Sequence, residues 1–109
     1  MANIYRNAKV DFTNTDNTTV YTSPSNSRAI VKSILVSAAS GSGDSINVTL
    51  TNASAAIFSL FKSKTIAANA TTELITQPIV LEESEILKAQ ATTAGRLHVV
   101  ISLLEINRD

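Results

Sequence analysis

The only histidine of the chain, His98, is the first residue to consider for catalysis. No His–Cys or His–His pair, as in a Cys–His catalytic site or a zinc site, can form within the chain, because it has one histidine and no cysteine. Such a site would therefore require a partner subunit. His98 falls within a predicted strand, on the side opposite Leu97 and Val99. We expect a half-exposed structural histidine, with a pH-sensing or interface role as the alternative.

Acidic residues cluster once, at Glu82, Glu83 and Glu85, with Asp44 elsewhere in the chain. A calcium site needs several converging oxygen ligands, typically in an Asp-x-Asp-x-Asp-Gly loop, and this cluster has no such spacing. Paired carboxylates for glycoside hydrolysis could come from distant strands, but nothing in the spacing favours this. A solvated turn is the better interpretation.

Phosphate and nucleic-acid binding receive little support from the remaining motifs. Gly41-Ser42-Gly43 lacks the spacing of a phosphate-binding loop and precedes no predicted helix. Lys62 and Lys64 form the closest basic pair, yet stacking of nucleic-acid bases needs aromatic residues between such charges. The chain has five aromatic residues and no tryptophan, and we expect Phe58 and Phe61 to lie in the core. The lack of tryptophan also lowers the prospect of glycan binding.

This inventory predicts a protein that is not an enzyme and has no catalytic, cofactor-binding or metal site. Lys and Arg number nine and are balanced by nine Asp and Glu, so the composition predicts no direct contact with nucleic acid or with an anionic membrane. Ser, Thr and Asn supply 35 residues, which predicts a neutral, polar surface. Neutrality does little to keep copies apart, so it suits a chain that enters an assembly.

Apolar residues recur mainly with a period of two, which indicates β-strands. The clearest case is residues 46–51, where Ile46, Val48 and Leu50 share one face. Residues 9–12 and 18–21 are predicted to form a hairpin around an Asn- and Asp-rich turn. Residues 30–37 are apolar on both faces, which predicts a central strand covered on both sides, and residues 96–106 predict a second central strand.

We therefore predict an all-β, single-domain antiparallel β-sandwich, of the jelly-roll or immunoglobulin-like kind, with about seven to nine short strands. Residues 1–7 are expected to form an N-terminal arm and residues 8–109 the sandwich domain. The start of the chain has no apolar run typical of a secretory signal, and no segment is long and apolar enough to cross a membrane. Open sandwich edges are usually blunted by charge or proline, and few charges are available here, so pairing of edges between subunits is expected.

The order of the segments resembles that of small virion structural proteins of tailed bacteriophages, especially marine and cyanobacterial phages. Each motif alone is typical of any strand or turn, so the likeness lies in their order and spacing over about residues 8–106. The matching stretches are VYTSP at 20–24, AIVKSILV at 29–36, TIAANA at 65–70, PIVLE at 78–82 and LHVVISLLEI at 97–106.

This resemblance implies a non-enzymatic part of a virion that is made in the cytoplasm of a host bacterium. A capsid decoration or cement protein is the expected role, with copies of itself (a trimer favoured) and the major capsid protein as partners. The alternatives are a neck, tail or fibre-attachment protein, or a host-glycan-binding module. Within the arm, Ile4, Tyr5 and Arg6 are the expected assembly contact, because an arm with two large side chains but no evident core role suits an anchor.

Overall fold

The period-two alternation becomes nine β-strands in the computed structural model, which describes residues 2–38 and 41–107. No helix occurs among these described residues. The strands are β1 (Ala2–Asp11), β2 (Thr18–Thr22), β3 (Ser27–Ala38), β4 (Asp44–Thr51), β5 (Ile57–Ile66), β6 (Thr71–Glu73), β7 (Ile79–Leu81), β8 (Ile86–Ala91) and β9 (Leu97–Asn107).

The strands form two antiparallel sheets, and the predicted all-β sandwich is confirmed. Sheet A has the order β1-β9-β3-β6, with β7 also paired to β3, and sheet B has the order β2-β8-β4-β5. The first strand thus pairs with the last, the second with the last but one, and so on inwards to β4 and β5. This winding of one long antiparallel ribbon into two sheets is a jelly roll, in which β6 and β7 together take the place of one strand.

The predicted hairpin between the first two strands is wrong, because β1 and β2 belong to different sheets. β1 pairs with β9 and β2 pairs with β8. Phe12 is buried where the chain crosses between the sheets, and its backbone N–H donates to the carbonyl of Leu97 at 3.1 Å. Asn14 stabilises the turn through its side chain, since its Oδ1 accepts a hydrogen bond from the Asp16 N–H at 2.9 Å.

β3 is a central strand, as predicted, but only one of its faces is covered. Its register with β9 shifts between Val31 and Ser33, which marks a β-bulge. The bulge changes which positions point inwards, so Val31 on one side of it and Ile34 on the other are both buried. Leu35 lies on the outer face and is 39% exposed. The sequence showed apolar residues on both faces because the bulge switches the alternation in mid-strand.

The carboxylate of Glu73 fills the gap between β6 and β7 beside this bulge. Its Oε2 accepts the backbone N–H of Ile34 at 2.7 Å, and its Oε1 accepts the hydroxyl of Ser33. The interrupted edge of the sheet therefore keeps a hydrogen-bond acceptor for β3 where no strand residue supplies one.

The core lies between the two sheets and is aliphatic, with a single fully buried aromatic residue, Phe12, among the described residues. Both central strands of sheet A contribute alternate residues to it. The largest buried side chains are Phe12, Ile34, Ile46, Ile66, Leu81, Leu87, Leu97, Ile101 and Leu103.

Residues 2–7, the expected N-terminal arm, are the first part of β1 and continue without a break into residues 8–11. They pair with β9 at the edge of sheet A. In the isolated chain they are thus part of the sandwich, and their use as an arm in an assembly stays a prediction.

Replacement of Glu73 tests whether its carboxylate stabilises β3 beside the bulge. We expect Glu73→Ala to lower the free energy of unfolding by about 1–3 kcal/mol, because the N–H of Ile34 loses its acceptor at a partly buried position. Urea denaturation measures this change. Thr71→Ala, an exposed position of the same strand, is the control and should change stability by less than about 0.5 kcal/mol. Equal effects of the two substitutions would contradict the role of the carboxylate.

Candidate assembly site

Strand β1 places the three expected contact residues at the edge of sheet A, but on two different sides. Ile4, Tyr5 and Arg6 pair with Glu105, Leu104 and Leu103 of β9. Ile4 and Arg6 are turned to the inner side, like the buried β9 residues beside them. Tyr5 lies on the outer face, is 75% exposed, and has the Lys32 ammonium 5.3 Å from its ring centroid. Of the three side chains, Tyr5 alone is presented outwards.

Arg6 belongs instead to a polar cluster that joins three strands. Glu105 of β9 is only 4% exposed, and its Oε1 accepts the hydroxyl of Tyr21, which lies on β2 in the other sheet. Its Oε2 lies 3.7 Å from a guanidinium nitrogen of Arg6. A buried carboxylate needs such partners, because an unpaired buried charge is strongly destabilising. This cluster therefore ties the edge strand β1 and the edge strand β2 to the middle of sheet A.

The environment of Tyr21 changes its acidity. Burial raises the pKa of Tyr21 well above its ordinary value, and the hydrogen bond to Glu105 and the negative charge of that carboxylate raise it further. The positive charge of Arg6 acts in the opposite direction on the pKa, with a smaller effect. The phenol thus keeps its proton and serves as the hydrogen-bond donor that the carboxylate requires.

His98 occupies the outer face of β9, as predicted, where about half of its side chain is exposed. Its Nε2 lies 3.1 Å from Asp11 Oδ1, and the two residues are cross-strand neighbours of β9 and β1. Within residues 2–38 and 41–107, no group of three or more His, Cys, Asp or Glu side chains is placed to hold a metal ion. On its other side His98 has Ser37 of β3 as its cross-strand neighbour.

The acidic residues are not brought together into one site. Glu82, Glu83 and Glu85 lie in the turn between β7 and β8, where Glu85 Oε1 accepts the backbone N–H of Glu82 at 2.8 Å. Asp44 begins β4 at the opposite end of the sandwich, and its Oδ2 accepts the N–H of Thr93 at 2.7 Å. The turn interpretation of the glutamates therefore agrees with the structure.

Gly43 fills a packed turn rather than an open phosphate loop. A Cβ at this position would lie 2.8 Å from the carbonyl oxygen of Ile66, so the backbone leaves no room for a side chain. Arg96 donates a hydrogen bond to the carbonyl of Gly43 at 3.1 Å.

The two phenylalanines of β5 differ from the expectation that both lie in the core. Phe61 packs against the core, whereas Phe58 is 54% exposed on this edge strand of sheet B. Among the described residues, no further strand pairs with β5 on this edge to cover Phe58. Lys62 and Lys64 flank Ser63, whose positive φ of 54° marks an irregularity that the Asn47 side chain caps by accepting the Ser63 N–H at 2.6 Å.

Removal of the Tyr21 hydroxyl tests the buried cluster. We expect Tyr21→Phe to lower the free energy of unfolding by about 1–3 kcal/mol, because the buried carboxylate of Glu105 loses its donor from sheet B. Tyr5→Phe is a matched control at an exposed position and should change stability by less than about 0.5 kcal/mol. Urea denaturation at neutral pH measures both, and equal effects would show that the cluster does not stabilise the sandwich.

The raised pKa of Tyr21 also predicts a loss of stability in alkali. The folded chain holds this proton more tightly than the unfolded chain does. The stabilisation is complete below the ordinary tyrosine pKa of about 10 and is lost as the pH rises towards the folded-state pKa. We expect the free energy of unfolding to fall between about pH 10 and 11.5 more steeply in the wild-type chain than in Tyr21→Phe. Parallel slopes in denaturation at these pH values would contradict this assignment.

No protein-family model matches the chain, and no curated protein matches it in a sequence comparison. No helix among residues 2–38 and 41–107 meets the length and hydropathy of a membrane span.

Solved structures share the fold along almost the whole chain. A chain from the disulfide-linked pili of Bacillus endospore appendages matches with a TM-score of 0.57 at 8% identity, over 98% of this chain and 89% of that chain. A chain from the acid-stable capsid of Helicobacter pylori bacteriophage KHP30 matches with a TM-score of 0.56 at 12% identity, over 99% of this chain and 95% of that chain. At these identities the likeness shows a common fold.

Proposed function

We propose that the chain is a non-enzymatic structural protein of a bacteriophage virion and that it decorates the outer shell of the capsid. The observation that carries this proposal is the near full-length likeness to a chain of a phage capsid, which spans 99% of this chain and 95% of the other. The match leaves little of either chain outside the common sandwich. A decoration protein needs only such a compact domain with surfaces for the shell and for neighbouring copies.

The side-chain chemistry of the described residues supports a structural role. The polar groups with the best-defined partners, Tyr21, Glu105 and Glu73, are used to hold strands together.

A subunit of the neck, tail or fibre attachment is the second candidate, and the likeness to a pilus chain favours it. The pili of that comparison are disulfide-linked, whereas this chain has no cysteine. Copies of this chain must therefore hold together through non-covalent contacts alone, which suits a protein that is also supported by an underlying shell. This difference favours decoration of the capsid over a free appendage.

The proposed partners are further copies of the chain, with a trimer as the favoured state, and the major capsid protein. Tyr5 is the contact residue that the geometry supports best, because it stands on the outer face of an edge strand. Arg6 of the same strand approaches the buried Glu105 from the inner side. The same proposal includes a location in the virion and a contact role for β1 at the edge of sheet A.

Counting copies in purified particles tests the proposal. We expect quantitative mass spectrometry of particles from the source phage to find on the order of hundreds of copies, as icosahedral decoration requires. About a dozen copies or fewer would move the protein to the neck or tail and overturn decoration. Absence from particles that retain their major capsid protein would overturn the virion role itself.

A further inference from the structure

Large apolar side chains are concentrated on the outer face of sheet A. Of the six large hydrophobic residues that are clearly exposed in the described chain, four lie there: Tyr5, Leu35, Val80 and Val100. Val80 is 54% exposed, and Leu35 and Val100 are each 39% exposed. The outer face of an isolated sandwich is normally polar, so this concentration marks a surface that another molecule covers.

The strand register aligns these residues into one row across the whole sheet. Tyr5 of β1 pairs with Leu104 of β9, Leu104 pairs with Ile30 of β3, and Ile30 pairs with Val80 of β7. We call these four residues the apolar row. In sheet B the comparable row across four strands, Thr19, Lys88, Thr49 and Ser59, is entirely polar.

A second row of the same face has opposite charges at its two ends. Lys9 of β1 pairs with Val100, Val100 pairs with Leu35, and Leu35 pairs with Glu73 of β6. The basic residue thus stands on one edge of the sheet, the acidic residue on the other edge, and two apolar residues between them. When this row faces the same row of a second copy in reverse order, each charged end lies opposite a residue of the opposite charge.

We propose that the outer face of sheet A binds the same face of a second copy of this chain. A two-fold axis parallel to the strands, passing between β9 and β3, places β1 of one copy over β6 and β7 of the other. Tyr5 then faces Val80 of the second copy, and Leu104 faces Ile30 of the second copy. In the other row Lys9 faces Glu73 of the second copy. The contact is isologous, so each pairing occurs twice, and it joins copies in pairs; in the proposed assembly it connects two neighbouring trimers and is not the contact within a trimer.

The size of the face agrees with a contact of moderate strength. Four strands about 4.8 Å apart and about 33 Å long give an outer face on the order of 600 Å². A standard interface covers about 800 Å² on each partner, so this pair alone is of modest affinity. The net charge of the chain is zero, so no long-range repulsion opposes association. This inference deepens and rests on the proposed function, in which neighbouring contacts in an assembly reinforce one another.

The absence of cysteine allows a direct cross-linking test on the full chain. The double variant Tyr5→Cys with Val80→Cys places thiols at the two ends of the apolar row. Facing positions of two packed sheets lie about 10 Å apart, which is too far for a disulfide but within reach of a short bis-maleimide, whereas within one chain the two positions are three strand spacings, about 14 Å, apart. A reagent that spans the shorter distance and not the longer one therefore links only separate copies. The matched control is Thr19→Cys with Ser59→Cys, at the two ends of the polar row of sheet B.

With this reagent we expect about tenfold more covalent dimer from the sheet A pair than from the control pair, since docking raises the effective concentration of the thiols. Circular dichroism of both variants verifies that each remains folded. Equal yields from the two folded variants would overturn the proposed contact.

Val80→Lys gives a second readout without cysteine. Sedimentation over a concentration series should show self-association weakened about tenfold, because a lysine is placed against the apolar row of the second copy. Ser59→Lys, on the outer face of sheet B, should leave self-association unchanged. If the chain is present on particles but the two variants cross-link equally, this contact is wrong and the proposed function stands. If the sheet A variant cross-links preferentially but the chain is absent from particles, the contact stands and the virion role is wrong.

Discussion

The pairing of β9 with β3 is the constraint on which the rest of the sandwich depends. The two strands run side by side from the pair Ser27 and Asn107 to the pair Ala38 and Leu97, so they form the middle of sheet A. Every second residue of β9 from Leu97 to Leu103 is buried. A slip of one position would turn this whole set towards solvent, so burial fixes the register. Once β9 and β3 are paired, β1 can add only to the free edge of β9, and β6 and β7 can add only to the free edge of β3.

The same constraint explains why the edge of sheet A is held by polar groups. β1 lies outside the central pair and contributes no fully buried large side chain to the core. Its attachment is supplemented by Arg6, which approaches the buried Glu105, and by Tyr21 from the opposite sheet. The jelly-roll fold serves many functions, so the role of this chain must be sought on its surfaces rather than in its topology. Those surfaces differ: the outer face of sheet A carries a row of four large apolar residues, Tyr5, Leu104, Ile30 and Val80, whereas the comparable row of sheet B is polar.

The sequence predicted the parts of the fold that follow from simple alternation. The strand with Ile46 and Val48 and the central position of the last strand are confirmed because every second residue faces the core. Alternation cannot reveal a bulge, so the single covered face of β3 was not predicted. It also cannot tell a hairpin from a crossing between sheets, and for this reason β1 and β2 were paired wrongly. Both errors concern how neighbouring segments are related in space.

The polar cluster was missed because its members are far apart in the chain, with Tyr21 and Glu105 separated by 84 positions. One signal was available. The inward series of β9 continues from Leu103 to Glu105, which places an acid at a core position and requires a buried donor for it. Composition also indicated an assembling chain, but which residues share the outer face of sheet A follows only from the register of four strands that are distant in sequence.

A density map of the intact particle would show whether this jelly roll is a repeated structural subunit with sheet A turned towards a neighbour. We expect a density of this fold on the outer shell, in many symmetric copies, with Tyr5 and Val80 buried between two of them. A particle shell without such a density, or one in which the outer face of sheet A is bare while sheet B makes the contacts, would contradict it.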